Sequence, residues 1–179
     1  PAEVGDNNKI RENVTINRGT AAKGKTCVGS GNLLMESVHV AHDAFVGNDC
    51  IIGNGTKLAG EIIIDDHAII SANVLMHQFC RVGGYTMVGG GTRFSQDIPP
   101  YTICAREPVA YCGLNLVGLR RRGFSNELIE NIHNTYRIIY QGGVPLNEAL
   151  QKVREEVPAS PEINYIIEFI ENSKRGFVH

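Results

Sequence analysis

No run of apolar residues in this 179-residue chain approaches the ~20 that a membrane-spanning helix needs. No secretory leader is visible. No basic excess exists either. The 17 Lys and Arg stand against 19 Asp and Glu, a net charge of −2, so nucleic acid is not the default partner. No cysteines are closely paired. The five (Cys27, Cys50, Cys80, Cys104 and Cys112) are an odd number at wide spacings, which argues for reduced packing thiols in a cytoplasmic protein. The chain also lacks an initiating methionine, so it is expected to be processed or a piece of something longer.

What is present is a six-residue ruler. From Val28, every sixth residue is a large aliphatic: Val28, Leu34, Val40, Val46, Ile52, Leu58, Ile64, Ile70, Met76, Val82 and Val88. At the chain's apolar content of 42%, such a run arises by chance roughly once in ten thousand trials, so the repeat is real. The phase extends back through Ile16, Ile10 and Val4 and fails once, at Ala22 within "NRGTAAKGKTC". That stretch, near residues 17–27, reads as a loop leaving the repeat. The residue after each aliphatic is often small, which predicts a bend beside it. A six-residue step suits neither a helix nor a hairpin ladder. It predicts short strands joined by tight corners in a parallel β solenoid, three hexads to a triangular coil, with residues i and i+18 stacked ~4.8 Å apart.

Pro99 and Pro100 end the repeat. The pattern turns helical from Ser125, a plausible cap ahead of Leu128, Ile129, Ile132, Tyr136 and Ile139. Gly142-Gly143 stops that helix, a second begins near Asn147, and a third begins at Ser160-Pro161. The expected organisation is a β solenoid over residues 1–103, then a connector and α-helical domain over 104–179.

The eighteen-residue period converts sequence into geometry. His42 stacks with Gly60 and Gln78, Asp43 stacks with Glu61, and His77 lies one column away, so polar groups gather at one corner. A neutral imidazole suits proton abstraction near neutral pH. A neighbouring carboxylate fixes its tautomer, and a glycine one coil away exposes an N–H to a developing oxyanion. Two other readings stand beside this one. The residues are simply polar corner positions, or His39, His42 and His77 bind zinc across a subunit boundary.

Six stretches, "NLLMESVHVAHDAFVGN", "LAGEIIIDDHAII", "MHQFCRVGGYTMVGGG", "DIPPY", "GLNLVGLRRRGFS" and "SKRGFVH", resemble the UDP-N-acetylglucosamine O-acyltransferases, the first enzymes of lipid A synthesis in Gram-negative bacteria. The match runs in order through essentially the whole chain, and "LRRRGFS" is its most specific part. The related N-acyltransferases usually carry Asn where this chain has Asp43. The resemblance implies that the β-helix is left-handed and that the protein is a cytoplasmic homotrimer. It implies transfer of an (R)-3-hydroxyacyl group from acyl carrier protein to the 3-hydroxyl of the sugar. No cofactor or metal is implied beyond the carrier's own phosphopantetheine. His42 is then the base, Asp43 its orienter and Gly60 the oxyanion donor. His39, Glu61, His77 and Gln78 line the sugar-nucleotide site, and Asn115, Arg121 and Arg122 meet phosphates or the carrier arm. Met87 and Gly90 fall where the family measures acyl length. Gly90 also has a plainer reading, as a corner glycine that needs positive φ.

The chain departs from the family at Asn17 and Glu61, where many members have histidine, and at Val117, which replaces an acidic residue. The family also has further N-terminal coils, so the chain is expected to be a fragment or a shortened form. Two rival readings are a related solenoid transferase using coenzyme A and a noncatalytic solenoid scaffold.

Overall fold

In the computed structural model, which describes all 179 residues, the ruler becomes a left-handed parallel β-helix. The first face stacks Ala2–Val4, Thr26–Val28, Phe45–Val46, Ile63–Ile64 and Arg81–Val82. The second stacks Lys9–Ile10, Leu33–Leu34, Ile51–Ile52, Ile69–Ile70, Met87–Val88 and Thr102–Ala105. The third stacks Thr15–Ile16, His39–Val40, Lys57–Leu58, Leu75–Met76 and Arg93–Phe94. Pairing is parallel with the predicted offset of 18, as in Phe45↔Ile63↔Arg81. Across the loop the offset becomes 24, with Ala2↔Thr26, Lys9↔Leu33 and Thr15↔His39 paired. The loop adds the length of one hexad. The ruler therefore keeps its phase through a segment that contributes no strand.

All eleven ruler residues are buried in one aliphatic core. A second interior column, two residues earlier in each hexad, escaped the sequence reading. It runs Val38, Ala44, Cys50, Thr56, Ile62, Ala68, Val74 and Cys80, all buried. Its smaller and mildly polar members hide it from a search for large aliphatics. Cys50, Cys80 and Cys104 pack inside as expected, but Cys27 is half-buried and Cys112 exposed. Desolvation pushes the Cys50 thiol up to about 12 and Cys80 to about 11, which leaves both unreactive.

The small residue after each aliphatic has a different cause from the one expected. The backbone enters the left-handed region two residues later, at Asn7, Asn13, Ser37, Asp43, Asp49, Glu61, His67, Asn73, Phe79 and Tyr85. Asn and Asp tolerate that conformation better than most residues. The small residue is needed because the next coil passes close: a Cβ on Gly53 would sit 2.5 Å from Ala72 N.

After the prolines, Thr102–Ala105 continues the second face and Ala110–Leu114 returns antiparallel to it. Four helices follow: α1 (Leu116–Arg121), α2 (Asn126–Gln141), α3 (Leu146–Glu156) and α4 (Pro161–Glu171). Ser125 and Ser160 cap α2 and α4 as predicted, accepting from Leu128 N and Ile163 N. Helix α1 was not predicted, because "LVGLRR" is too short to display a period. The helices share a second core that includes Leu119, Ile132, Tyr136, Ile166 and Phe169. Helix α4 is fixed to the first face by Tyr165. Its hydroxyl donates to Asp65 and accepts from Gly84 N, while Arg81 pairs with Asp65 at 2.7 Å.

Candidate active site

His42, Gly60 and Gln78 lie in successive coils at the corner between the third and first faces. Asp43 has φ 60°, and this turn brings its carboxylate back beside its own neighbour. Asp43 Oδ2 stands 2.9 Å from His42 Nδ1. The Asp43 side chain is 1% exposed and that of His42 43%, so the imidazole is anchored on one nitrogen and open on the other side. A Cβ on Gly60 would lie 2.7 Å from His42 Cε1 and Nε2. Only glycine leaves room for the ring. The Gly60 N–H donates to no other group of the chain.

The loop excluded from the repeat supplies the partner that sequence reasoning missed. Thr20 donates its N–H to Asp43 Oδ1 at 2.8 Å and its hydroxyl to Oδ2 at 2.6 Å. The Thr20 hydroxyl, opposed by burial and assisted by His42, holds the Asp43 carboxyl below the usual carboxylate range. The signal available in the sequence was the break at Ala22, which says that a segment leaves the coil but not what it touches.

The other expected residues divide among four places. Glu61 lies in the Asp43 column and lines a cleft of ≈ 540 Å³ with Asp43, Lys23, Arg81, Lys174 and Arg175. His39 lies outward on the third face, its Nδ1 2.7 Å from the Thr15 hydroxyl. His77 is exposed, its Nδ1 3.0 Å from the Gln78 carbonyl. Each of the three histidines thus engages a different partner, and no three His, Cys, Asp or Glu side chains are grouped to hold a metal. Asn115 is buried and caps α1, accepting from Gly118 N and donating to Tyr85 O. Arg121 is exposed. Arg122 donates to His67 Nδ1 at 2.8 Å and lies over the Tyr85 ring, at the opposite edge of the first face from His42. Burial and then the Arg122 charge hold His67 below its ordinary value, so it accepts as a neutral imidazole. Asn17 and Val117 are exposed. Met87 is half-buried on the second face and Gly90 exposed at the corner between the second and third. Gly90 does not need positive φ; the left-handed residue is Gly91, at φ 69°.

The UDP-N-acetylglucosamine acyltransferase structure from Bacteroides fragilis superposes with a TM-score of 0.97 at 73% identity, over 99% of this chain and 70% of that one. The chain belongs to this acyltransferase family. The Moraxella catarrhalis enzyme matches at 40% identity and TM-score 0.95, and the Francisella novicida enzyme at 38% and 0.95. Each comparison covers 99% of this chain, and 70% and 65% of those proteins. The family described as "Udp N-acetylglucosamine O-acyltransferase; Domain 2" matches residues 97–178, the segment that carries the final strands and helices. The His42 corner is built wholly from solenoid positions plus Thr20, while Arg121 and Arg122 come from the helical part. No helix of this acyltransferase is long and apolar enough to cross a membrane.

Proposed function

We propose that this chain transfers an (R)-3-hydroxyacyl group from acyl carrier protein to the 3-hydroxyl of UDP-N-acetylglucosamine, the first step of lipid A biosynthesis, in the cytoplasm and as a homotrimer. The observation that carries the reading is the His42–Asp43 pair set against a glycine with an unused N–H. With Nδ1–H given to Asp43, the lone pair lies on His42 Nε2. That nitrogen takes the proton of the sugar hydroxyl as its oxygen attacks the thioester carbonyl. The carbonyl oxygen gains charge, and the Gly60 N–H, which has no partner within the chain, donates to it. Collapse of the tetrahedral species breaks the C–S bond. The departing phosphopantetheine thiolate takes the proton from the imidazolium, giving an ester and a free thiol. Asp43 stays ionised and stabilises the imidazolium meanwhile.

Glu61 and Gln78 border the corner on the sugar side, with His39 and His77 on the third face. Arg121 and Arg122 are the donors suited to phosphate oxygens. Met87 and Gly90 bound the acyl chain. No cofactor is invoked, since the acyl carrier brings its own arm. The test is turnover of UDP-N-acetylglucosamine with 3-hydroxyacyl carrier protein, run beside acetyl-coenzyme A as sole donor. His42→Ala is expected to lower turnover by ~10²-fold or more with an unchanged thermal melt. Near-wild-type turnover in that variant rejects the base, and turnover with coenzyme A alone rejects the donor.

A further inference from the structure

We propose that Thr20 is a positioning residue for the catalytic pair: its hydroxyl and its backbone N–H hold the Asp43 carboxylate where it accepts the His42 Nδ1–H. The proposal rests on the reading of His42 as base. Hydrogen-bond direction supports it first. Ala22 N lies 3.2 Å from Thr20 Oγ, and a backbone N–H only donates, so the Thr20 hydroxyl proton is free to point at Asp43 Oδ2. The polarised chain runs from Ala22 N–H through Thr20 to Oδ2, which also receives His42. Oδ1 takes the Thr20 N–H. Both carboxylate oxygens are thereby occupied, and the carboxylate has no spare rotation.

The loop is built to place that threonine. Gly19 N and Thr26 N both donate to Pro1 O, at 2.9 and 3.2 Å, closing a neck. A Cβ on Gly19 would lie 2.3 Å from Lys25 Cα, so the neck admits no side chain there. Thr20 is the first residue beyond it, and Gly24 N donates to Thr20 O at 2.8 Å to close the turn. At the other end of the loop, Thr26 Oγ accepts the Asp43 N–H at 2.8 Å. The two ends of one inserted hexad thus grip the same aspartate, one by side chain and one by backbone. A loop serving only as a connector has no need of either contact. The remaining charged groups facing Asp43 are His42 and, across the cleft, Lys23, Glu61, Arg81, Asp97, Lys174 and Arg175.

The experiment compares the full chain with Thr20→Val, which keeps the shape and the N–H but removes the hydroxyl, and with Thr20→Ser, which restores it. In Thr20→Val, kcat is expected to fall ~10-fold while KM for the sugar nucleotide changes less than ~2-fold. The acid limb of kcat/KM on which Asp43 takes up its proton moves to higher pH, because its carboxyl has lost the donor that chiefly holds it low. Thr20→Ser returns both toward wild type. A merely structural role lowers all rates alike and leaves the limb in place. A second readout needs no turnover: the ¹⁵N shifts of the His42 ring report Nδ1–H in the wild type and mixed tautomers in Thr20→Val. Wild-type rates, an unmoved limb or an unmixed tautomer in Thr20→Val each overturn the proposal. His42→Ala measured in the same series separates the two ideas. An active His42→Ala removes the base itself, whereas an inactive His42→Ala beside a wild-type Thr20→Val removes only the role of Thr20.

Discussion

At the scale of single residues, backbone conformation selects the chemistry. Every corner places one residue in the left-handed region, and at the His42 corner that residue is Asp43. An extended backbone there would carry the carboxylate away from its neighbouring ring. Sequence spacing was enough to stack His42 with Gly60, because the period is fixed by the strands. It was not enough to explain the glycines, since close approach of coils is invisible in one dimension. Gly60 shows the difference: its φ is ordinary, and its lack of a side chain is required only by the imidazole 2.7 Å away. Gly60→Ala is therefore expected to displace a half-exposed ring and leave the coil intact. Turnover should fall ~10²-fold, as for loss of a base or an oxyanion donor, with an unchanged circular dichroism melt. Turnover within threefold of wild type would show that the ring does not work from this position.

At the scale of elements, the strands were legible and the exceptions were not. A repeat announces itself because each hexad buries the same kind of residue in the same column. The loop near residues 17–27 has no period, so its break at Ala22 was readable while its grip on Asp43 was not. Helix α1 was lost for the same reason, and with it the capping role of Asn115. The third face lies between the His42 corner and the Gly90 corner. Leu75, Met76, His77, Arg93 and Phe94 line a groove of ≈ 460 Å³ on it. Gly90 lies between two and three coils beyond His42, ~13 Å along the axis at the usual strand spacing. Since Gly90 needs no positive φ, and a Cβ there meets Ala72 O at 3.3 Å, a larger residue fits after a small local shift. Gly90→Met is expected to close the groove and turn preference toward a much shorter acyl donor. Each methylene left outside forfeits ~0.8 kcal/mol of burial, so a few change selectivity by orders of magnitude. Long and short acyl carrier proteins competing for the variant decide the matter. An unchanged chain-length ratio rejects the groove end, and an equal slowing of all donors assigns Gly90 to packing.

At the scale of the whole molecule, one surface is left without a cover. On the first face, Phe45 is 46% exposed and Ile63 41%, and Phe79 beside them at the corner is 51% exposed. Helix α4 meets this face through Tyr165 at Asp65 and Gly84 and through Phe169 beneath Arg81, and leaves these three side chains exposed. The cleft at Asp43 borders the same apolar strip, with Phe45, Ile63 and Phe79 along its wall. A cleft open on that side cannot enclose a sugar nucleotide, which needs most of its surface covered. In the proposed homotrimer, a second copy laid along the strip would supply the missing wall. A prism that offers a different face to each neighbour would make this contact heterologous, and the proposed ring of three would close it. Light scattering at micromolar concentration is expected to give three times the chain mass of 19.6 kDa. Ile63→Glu, which sets a charge in the middle of the strip, should shift the mass toward one chain, with the β signal in circular dichroism retained. A monomeric wild type that still turns over substrate would mean that one prism closes its own site, and the apolar strip would then need another partner.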